Sequence, residues 1–284
     1  MIPRLRLLFA SSHPGPTVVV TVLAIVIASA VGRPPLVVLI VAVAVLAGQL
    51  SIGLANDWID AGRDTAVGRR DKPIARGDIP ASTVRAAAFG TAASALMLSA
   101  ALGPVAAIAH LVLVGSGWAY DAGLKRTVWS ILPFVVAFGL LPVVAVSADA
   151  PGQLPAWWGI ATGAVFGVAI HCSNVLPDLE DDRATGVRGF PHRLGFRGAG
   201  VLAFGALVVG GVLVLLGQLA GPRAVHGAGT ALAVVATAVV VAIAAVGVAL
   251  VIRGSSSRLL FRLVITASLV LVIELALAGA QLVA

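Results

Sequence analysis

Nine stretches of this chain run for 16 to 24 residues with almost no charge: 16–31, 35–55, 84–102, 104–120, 131–146, 157–176, 198–219, 229–252 and 259–282. A helix of about 20 apolar residues crosses the roughly 30 Å hydrocarbon core of a bilayer. Lipid offers no partner for a bare N–H or C=O, so apolar segments of this length must be helical throughout. Hydrophobic residues make up 60% of the chain, charged residues only 11%, and mean hydropathy is +1.07. Soluble domains hold about half apolar residues. The longest polar segment, 56–83, is too short to build a separate soluble domain. The expected fold is therefore an all-α integral membrane protein with nine transmembrane helices.

The basic residues orient those helices. With the N-terminus in the cytoplasm, 17 of the 19 Lys and Arg lie on the cytoplasmic side, and only Arg33 and Arg223 lie outside. Cytoplasmic loops carry such an excess. A shift of one span would scatter the charges over both faces. The high isoelectric point is thus a record of topology, and no nucleic-acid or protein partner is indicated. The expected location is a bacterial cell membrane, with the C-terminus outside. Ser11-Ser12-His13-Pro14-Gly15-Pro16 breaks the helix between Arg4, Arg6 and the first apolar run, and no small-residue cleavage site follows, so 1–15 reads as a cytoplasmic leader. Cys172 is the sole cysteine, which excludes an internal disulfide.

Two polar segments read the same at an offset of 118 residues. Asn56, Asp60, Asp64, Gly68, Arg70, Pro73 and Gly77 fall on Asn174, Asp178, Asp182, Gly186, Arg188, Pro191 and Gly195. Side chains four apart on a helix lie on one face, about 5–6 Å apart. Each copy follows an apolar run, where ionisable groups are costly and functional by default. Ten of the twelve carboxylates lie on the cytoplasmic side, and several converging on one site would repel one another unless cations neutralise them. Oxygen ligands select Mg²⁺, which keeps open positions for substrate phosphates. The metal set read from the spacing is Asn56, Asp60, Asp64, Asn174, Asp178 and Asp182. Arg70, Arg188, Lys125 and Arg126 suit a polyanion that bridges the metal. A diphosphate on a lipid tail fits such a site at a membrane surface.

Asn56-Asp57-Trp58-Ile59-Asp60-Ala61-Gly62-Arg63-Asp64 resembles the first signature of the UbiA-type intramembrane prenyltransferases, and Asp178-Leu179-Glu180-Asp181-Asp182 is similar to their second. Asp71 to Gly77 resembles the stretch that follows the first motif, with Lys72 where an Arg is more usual. Tyr120 to Arg126 resembles the Tyr-to-Lys-Arg element after the fourth helix, with Tyr120 five residues before Lys125 rather than four. The resemblance implies a single domain over 1–284, with motif copies at 56–77 and 174–195. It implies two four-helix repeats plus one helix around a central cavity with cytoplasmic cap loops. It further implies two Mg²⁺ ions, and Tyr120 among the groups that hold the diphosphate of an isoprenyl substrate.

The expected reaction is transfer of the isoprenyl group to an acceptor small molecule or lipid, an aromatic one in most of the family. Cleavage of the allylic C–O bond places charge on the leaving diphosphate, which cations stabilise, and the remaining cation needs a dry cavity. Asp57 or Asp181 could serve as the base. A terpene cyclase of the same family shares these motifs, and a small-molecule transporter is an alternative from another class. Aromatic residues are only 5% of the chain, which favours transfer over cyclisation. His171 reads either as a cavity residue or as a satisfied interfacial group. Glu274 reads as an interhelical hydrogen-bond partner, and Trp118, Trp129, Trp157 and Trp158 as an interfacial belt.

Overall fold

The computed structural model describes residues 2–177, 179, 186–220, 227–254 and 257–284. Among these residues there are ten α-helices: α1 (Ile2–Ser11), α2 (Pro14–Ala30), α3 (Pro35–Ala66), α4 (Ala81–Ala100), α5 (Pro104–Ala122), α6 (Leu132–Ser147), α7 (Trp157–Val175), α8 (Phe190–Ala220, kinked at Gly195), α9 (Ala228–Ile252) and α10 (Ser257–Ala278). Proline stands in the first turn of α2, α3, α5 and α6, where its missing N–H costs nothing. Each of the nine apolar runs falls on a helix, and α1 is an addition the hydropathy pattern did not mark.

Among the described residues seven helices are long and apolar enough to cross a membrane on their own, and α1 and α2, which meet at 75°, reach that length and apolarity only when counted together as one bent span. The helix α4 falls short because Ser82, Thr83, Arg85, Thr91, Ser94 and Ser99 dilute its apolar face. The helices pack around a ring. Thus α3 touches α2, α4 and α5; α6 joins α5 to α7; α8 packs on α7 and α9; and α10 returns to α2.

Small residues set how closely α6 and α7 approach. A Cβ on Gly163 would run into the carbonyl of Phe138, and one on Gly167 into that of Phe134. Close backbone approach through residues four apart is how helices pack where water supplies no driving force. Four residues further along the same face stands His171. The Trp belt is corrected in part: Trp129 and Trp157 are exposed, but Trp158 is buried against Gly217, and Trp118 donates its Nε1–H to Ser51 Oγ at 3.2 Å. Apolar burial outweighs the interfacial preference where a glycine on the neighbouring helix makes room for an indole. Glu274 accepts from Gln218 Nε2 at 3.3 Å and Thr237 Oγ1 at 3.5 Å, joining α8, α9 and α10.

The two ends of the bundle differ in chemistry. At one end Arg33 donates to Ala148 O and Gln153 Oε1, and the amide of Asp149 donates to Leu102 O, so the loops after α2, α4 and α6 meet there. The other end gathers the α1–α2 turn, the last turns of α3, the segment after α5 and the end of α7. At 1.5 Å per residue, the 32 residues of α3 reach about 48 Å, so its final turns project beyond a 30 Å core and carry Asn56 to Asp64 with them.

A carboxylate and lysine cluster at the mouth of an apolar cavity

Gln49, Ile52, Asn56, Asp60 and Asp64 follow one another on α3 at helical spacing, so a single stripe passes from apolar to acidic. Gln49 and Ile52 line a cavity with about 520 Å³ of empty volume, open space at its mouth included. Tyr120, Phe134, Phe138 and Leu141 face them from α5 and α6. A second apolar cavity, with about 400 Å³ of empty volume on the same measure, shares Phe138 and Leu141 and is lined also by Leu275. The acidic stripe thus continues, along one face of α3, from residues that line an apolar cavity.

The polar groups at that mouth are tied together across four chain segments. Lys125 follows α5 on a short 3₁₀ turn and donates to Asp60 Oδ2 at 2.6 Å, with both side chains buried. Arg63, one turn beyond Asp60, reaches Asp60 at 3.1 Å and Asp64 at 3.4 Å. Asn56 Nδ2 donates to Asp121 Oδ1 at 2.7 Å. Lys72 Nζ lies 3.0 Å from Asp57 Oδ1 and 2.9 Å from His13 Nε2. The Lys72–Asp57 contact is an ion pair by distance, but both oxygens of Asp57 lack a well-aligned hydrogen bond. The contact is therefore electrostatic. Burial first, then the Lys72 ammonium, pushes the His13 pKa down to about 4, so His13 is neutral at physiological pH.

Asp57 Oδ2, Asp60 Oδ1 and Asp121 Oδ2 are buried without a hydrogen-bond partner. Buried carboxylate oxygens without donors are costly. They are hard oxygen donors, and this donor chemistry fits Mg²⁺. Four carboxylates (Asp57, Asp60, Asp64 and Asp121) meet three cationic side chains (Lys72, Lys125 and Arg63), so a diphosphate could enter only with added positive charge.

The sites expected from sequence are met unevenly. Asp60 and Asp64 do share a face, but Asn56 turns its amide to Asp121, and Asn174 is exposed at the end of α7. Asp178, Asp181 and Asp182 lie outside the described residues. Among the described residues no three His, Cys, Asp or Glu side chains come close enough to hold an ion. Arg70, Arg126 and Arg188 are exposed, and Arg76 donates to the carbonyl of Arg70 at 2.7 Å. Lys125 is committed to Asp60 in this arrangement, whereas its spacing suggested a free phosphate ligand.

Sequence reasoning did not single out Asp121, Arg63 or His13 as parts of this cluster. The acidic residue beside Tyr120 was the one available signal for Asp121. His171 is buried, stacks on Phe134 with ring centroids 4.5 Å apart, and meets Tyr120 edge-on at 5.7 Å. Its Nε2 lies 2.9 Å from Ser130 Oγ, which also accepts the amide N–H of Phe190 at 2.8 Å. The scarcity of aromatic residues proves a poor guide, because Tyr120, Phe134, Phe138 and Phe166 concentrate along the two cavities. Composition counts rings but does not place them, so the argument from aromatic content against cyclisation loses its force.

A model of the UbiA prenyltransferase family matches residues 17–278. The chain belongs to this family. Its relatives include the bacteriochlorophyll synthase 33 kDa chain of Cereibacter sphaeroides, 32% identical over 182 residues, an alignment that spans 60% of each chain. A UbiA homologue from Archaeoglobus fulgidus, solved with GPP and Mg²⁺, superposes with a TM-score of 0.72 at 13% identity over 96% of this chain and 99% of that one. The apo UbiA homologue from Aeropyrum pernix gives 0.72 at 18% identity over 91% and 96%. At such identities the likeness is one of fold, and the fold is that of UbiA proteins.

Proposed function

We propose that this protein transfers an isoprenyl group from its diphosphate to an acceptor within the membrane, with Mg²⁺ as the resident cation. The observation that carries the reading is the continuity of the α3 stripe, acidic at Asp60 and Asp64 and lining an apolar cavity at Gln49 and Ile52. A diphosphate with a long hydrocarbon tail is amphiphilic in the same order. Membership of a prenyltransferase family supports transfer over cyclisation and over transport. The two cavities share Phe138 and Leu141, and their apolar walls suit a hydrocarbon chain and exclude the water that would quench an allylic cation.

In this reading Asp60 and Asp64 of α3 hold Mg²⁺ together with Asp178, Asp182 and Asn174 of the second motif, so that the ligand set is shared between the two motifs. Bound Mg²⁺ would neutralise the diphosphate and stabilise it as a leaving group. Lys125 and Lys72 stand by that group as fixed charges that need no reorganisation when the bond breaks. Arg70, Arg126 and Arg188, exposed on the same end, steer the anion inward. Tyr120 and Phe134 place ring surface beside the carbon that becomes cationic. Asp57 or Asp181 takes the proton released by the acceptor. The site is cytoplasmic in a nine-span chain whose halves derive from a duplicated unit.

The test is to incubate purified protein in detergent with farnesyl or geranylgeranyl diphosphate and Mg²⁺, with and without aromatic acceptors. Acceptor-dependent release of diphosphate is expected. A cyclic hydrocarbon or alcohol formed without acceptor, at the rate of diphosphate release, would replace this reading with the cyclase.

A further inference from the structure

We propose that His13, on the turn between α1 and α2, is a positioning residue that holds the Lys72 ammonium for the diphosphate. The inference rests on the reading above. His13 precedes the part of the chain matched by the family model, residues 17–278.

Three observations converge on it. The first is backbone conformation: His13 has φ 53° and ψ 66°, a left-handed geometry that non-glycine residues rarely adopt, immediately before Pro14, which itself disfavours helical angles at the preceding residue. Strain of this kind persists where surrounding structure over-determines it. The second is the seat that determines it. The carbonyl of Ser12 lies against Gly53 of α3 so closely that any side chain there would collide with it. Ser12 Oγ donates to Phe9 O at 2.8 Å, and Thr17 Oγ1 donates to Ser12 O at 3.0 Å. The turn is therefore clamped one helical turn before Asn56 and Asp57.

The third observation is the contact the turn delivers. His13 Nε2 lies 2.9 Å from Lys72 Nζ, and Lys72 Nζ lies 3.0 Å from Asp57 Oδ1. An ammonium can only donate, so Nε2 must be the accepting nitrogen and the ring proton sits on Nδ1. One N–H bond of Lys72 is then directed at His13, the Asp57 carboxylate holds the ammonium at ion-pair distance, and the remaining N–H bonds are left for a ligand oxygen. Lysine carries its charge on a flexible four-carbon stem. Fixing that stem in advance removes an ordering cost from anion binding.

The experiment measures the affinity of the purified full chain for inorganic diphosphate with Mg²⁺, by calorimetry in detergent, in wild type, His13→Ala, Lys72→Met and the double variant. His13→Ala is expected to weaken binding about tenfold when Lys72 is present, the size of one lost charge-assisted hydrogen bond. In the Lys72→Met background the same change should cost less than about twofold. Equal losses in both backgrounds, or none in either, would overturn the proposal, as would a wild-type chain that does not bind diphosphate. Should His13→Ala fail to fold, His13→Gln supplies an amide oxygen that can accept from Lys72. A folded His13→Gln chain that binds within about threefold of wild type supports the proposal, and one that has lost binding overturns it. Binding of diphosphate without prenyl transfer would refute the reaction and leave the role of His13 standing.

Discussion

Lys125 Nζ lies 2.6 Å from Asp60 Oδ2, and side-chain exposure is 6% for the lysine and 4% for the aspartate. The pair links the segment after α5 to the acidic stripe of α3 and neutralises a carboxylate that would otherwise be buried without a counter-charge. Removing one partner of a buried pair leaves the other charge without compensation, at a cost of about 3–5 kcal/mol. Lys125→Met should therefore lower the melting temperature in detergent and abolish diphosphate release. Lys125→Arg should keep part of both, since it retains the charge with a bulkier head. A Lys125→Met protein as stable and active as wild type would show that the pair carries neither role.

Metal removal gives a second expectation. Four carboxylates around the mouth repel a diphosphate, so the anion should bind only when Mg²⁺ accompanies it. Inorganic diphosphate and Mg²⁺ together should raise stability, by about 2.7 kcal/mol at a hundredfold excess over Kd. Neither alone should match the combination. Undiminished diphosphate binding in EDTA would exclude Mg²⁺ as the bridging ion.

The contact of α6 with α7 depends on missing side chains. Gly163→Leu and Gly167→Leu should each force the helices apart, destabilise the protein by about 1–3 kcal/mol or more and lower activity by drawing His171 away from Ser130. Gly205→Ala is the control, since a Cβ there meets nothing within 4 Å. It should be neutral or stabilise by up to about 1 kcal/mol. Thermal unfolding of the three variants side by side checks the contrast.

Stability should fall in acid through His13. Its pKa is about 4 in the folded chain against 6.5 for a free side chain, so the unfolded state binds the proton more readily. The contribution is present above about pH 6.5 and is lost as the pH falls toward 4, on the order of 3 kcal/mol in all at 1.36 kcal/mol per pKa unit. His13→Ala should flatten the melting-temperature profile over that window. An unchanged profile would place the acid sensitivity elsewhere.

Orientation can be read with single cysteines in a Cys172→Ala background, since Cys172 is buried. An impermeant thiol reagent should label Arg33→Cys only from outside the cell and Arg70→Cys only after the membrane is opened. The reverse pattern would invert the topology drawn from the basic residues.

Much of this architecture was legible in the sequence because its causes are local. Apolar runs must be helices in lipid, and each of the nine became one. The repeat of Asn56, Asp60 and Asp64 at four-residue spacing set a polar face on α3, because helical periodicity alone decides which residues share a side. What the sequence could not supply were the partners. Asn56 meets Asp121 and Asp60 meets Lys125 across 65 residues, and Lys72 meets His13 across 59. No periodicity spans such distances, so only the tertiary packing of helices, turns and loops brought these groups together. Packing also decided that a few aromatic rings would line the cavities and that Trp158 would be buried. These outcomes depend on what fills the space between helices, and that space exists only once the chain has closed around it.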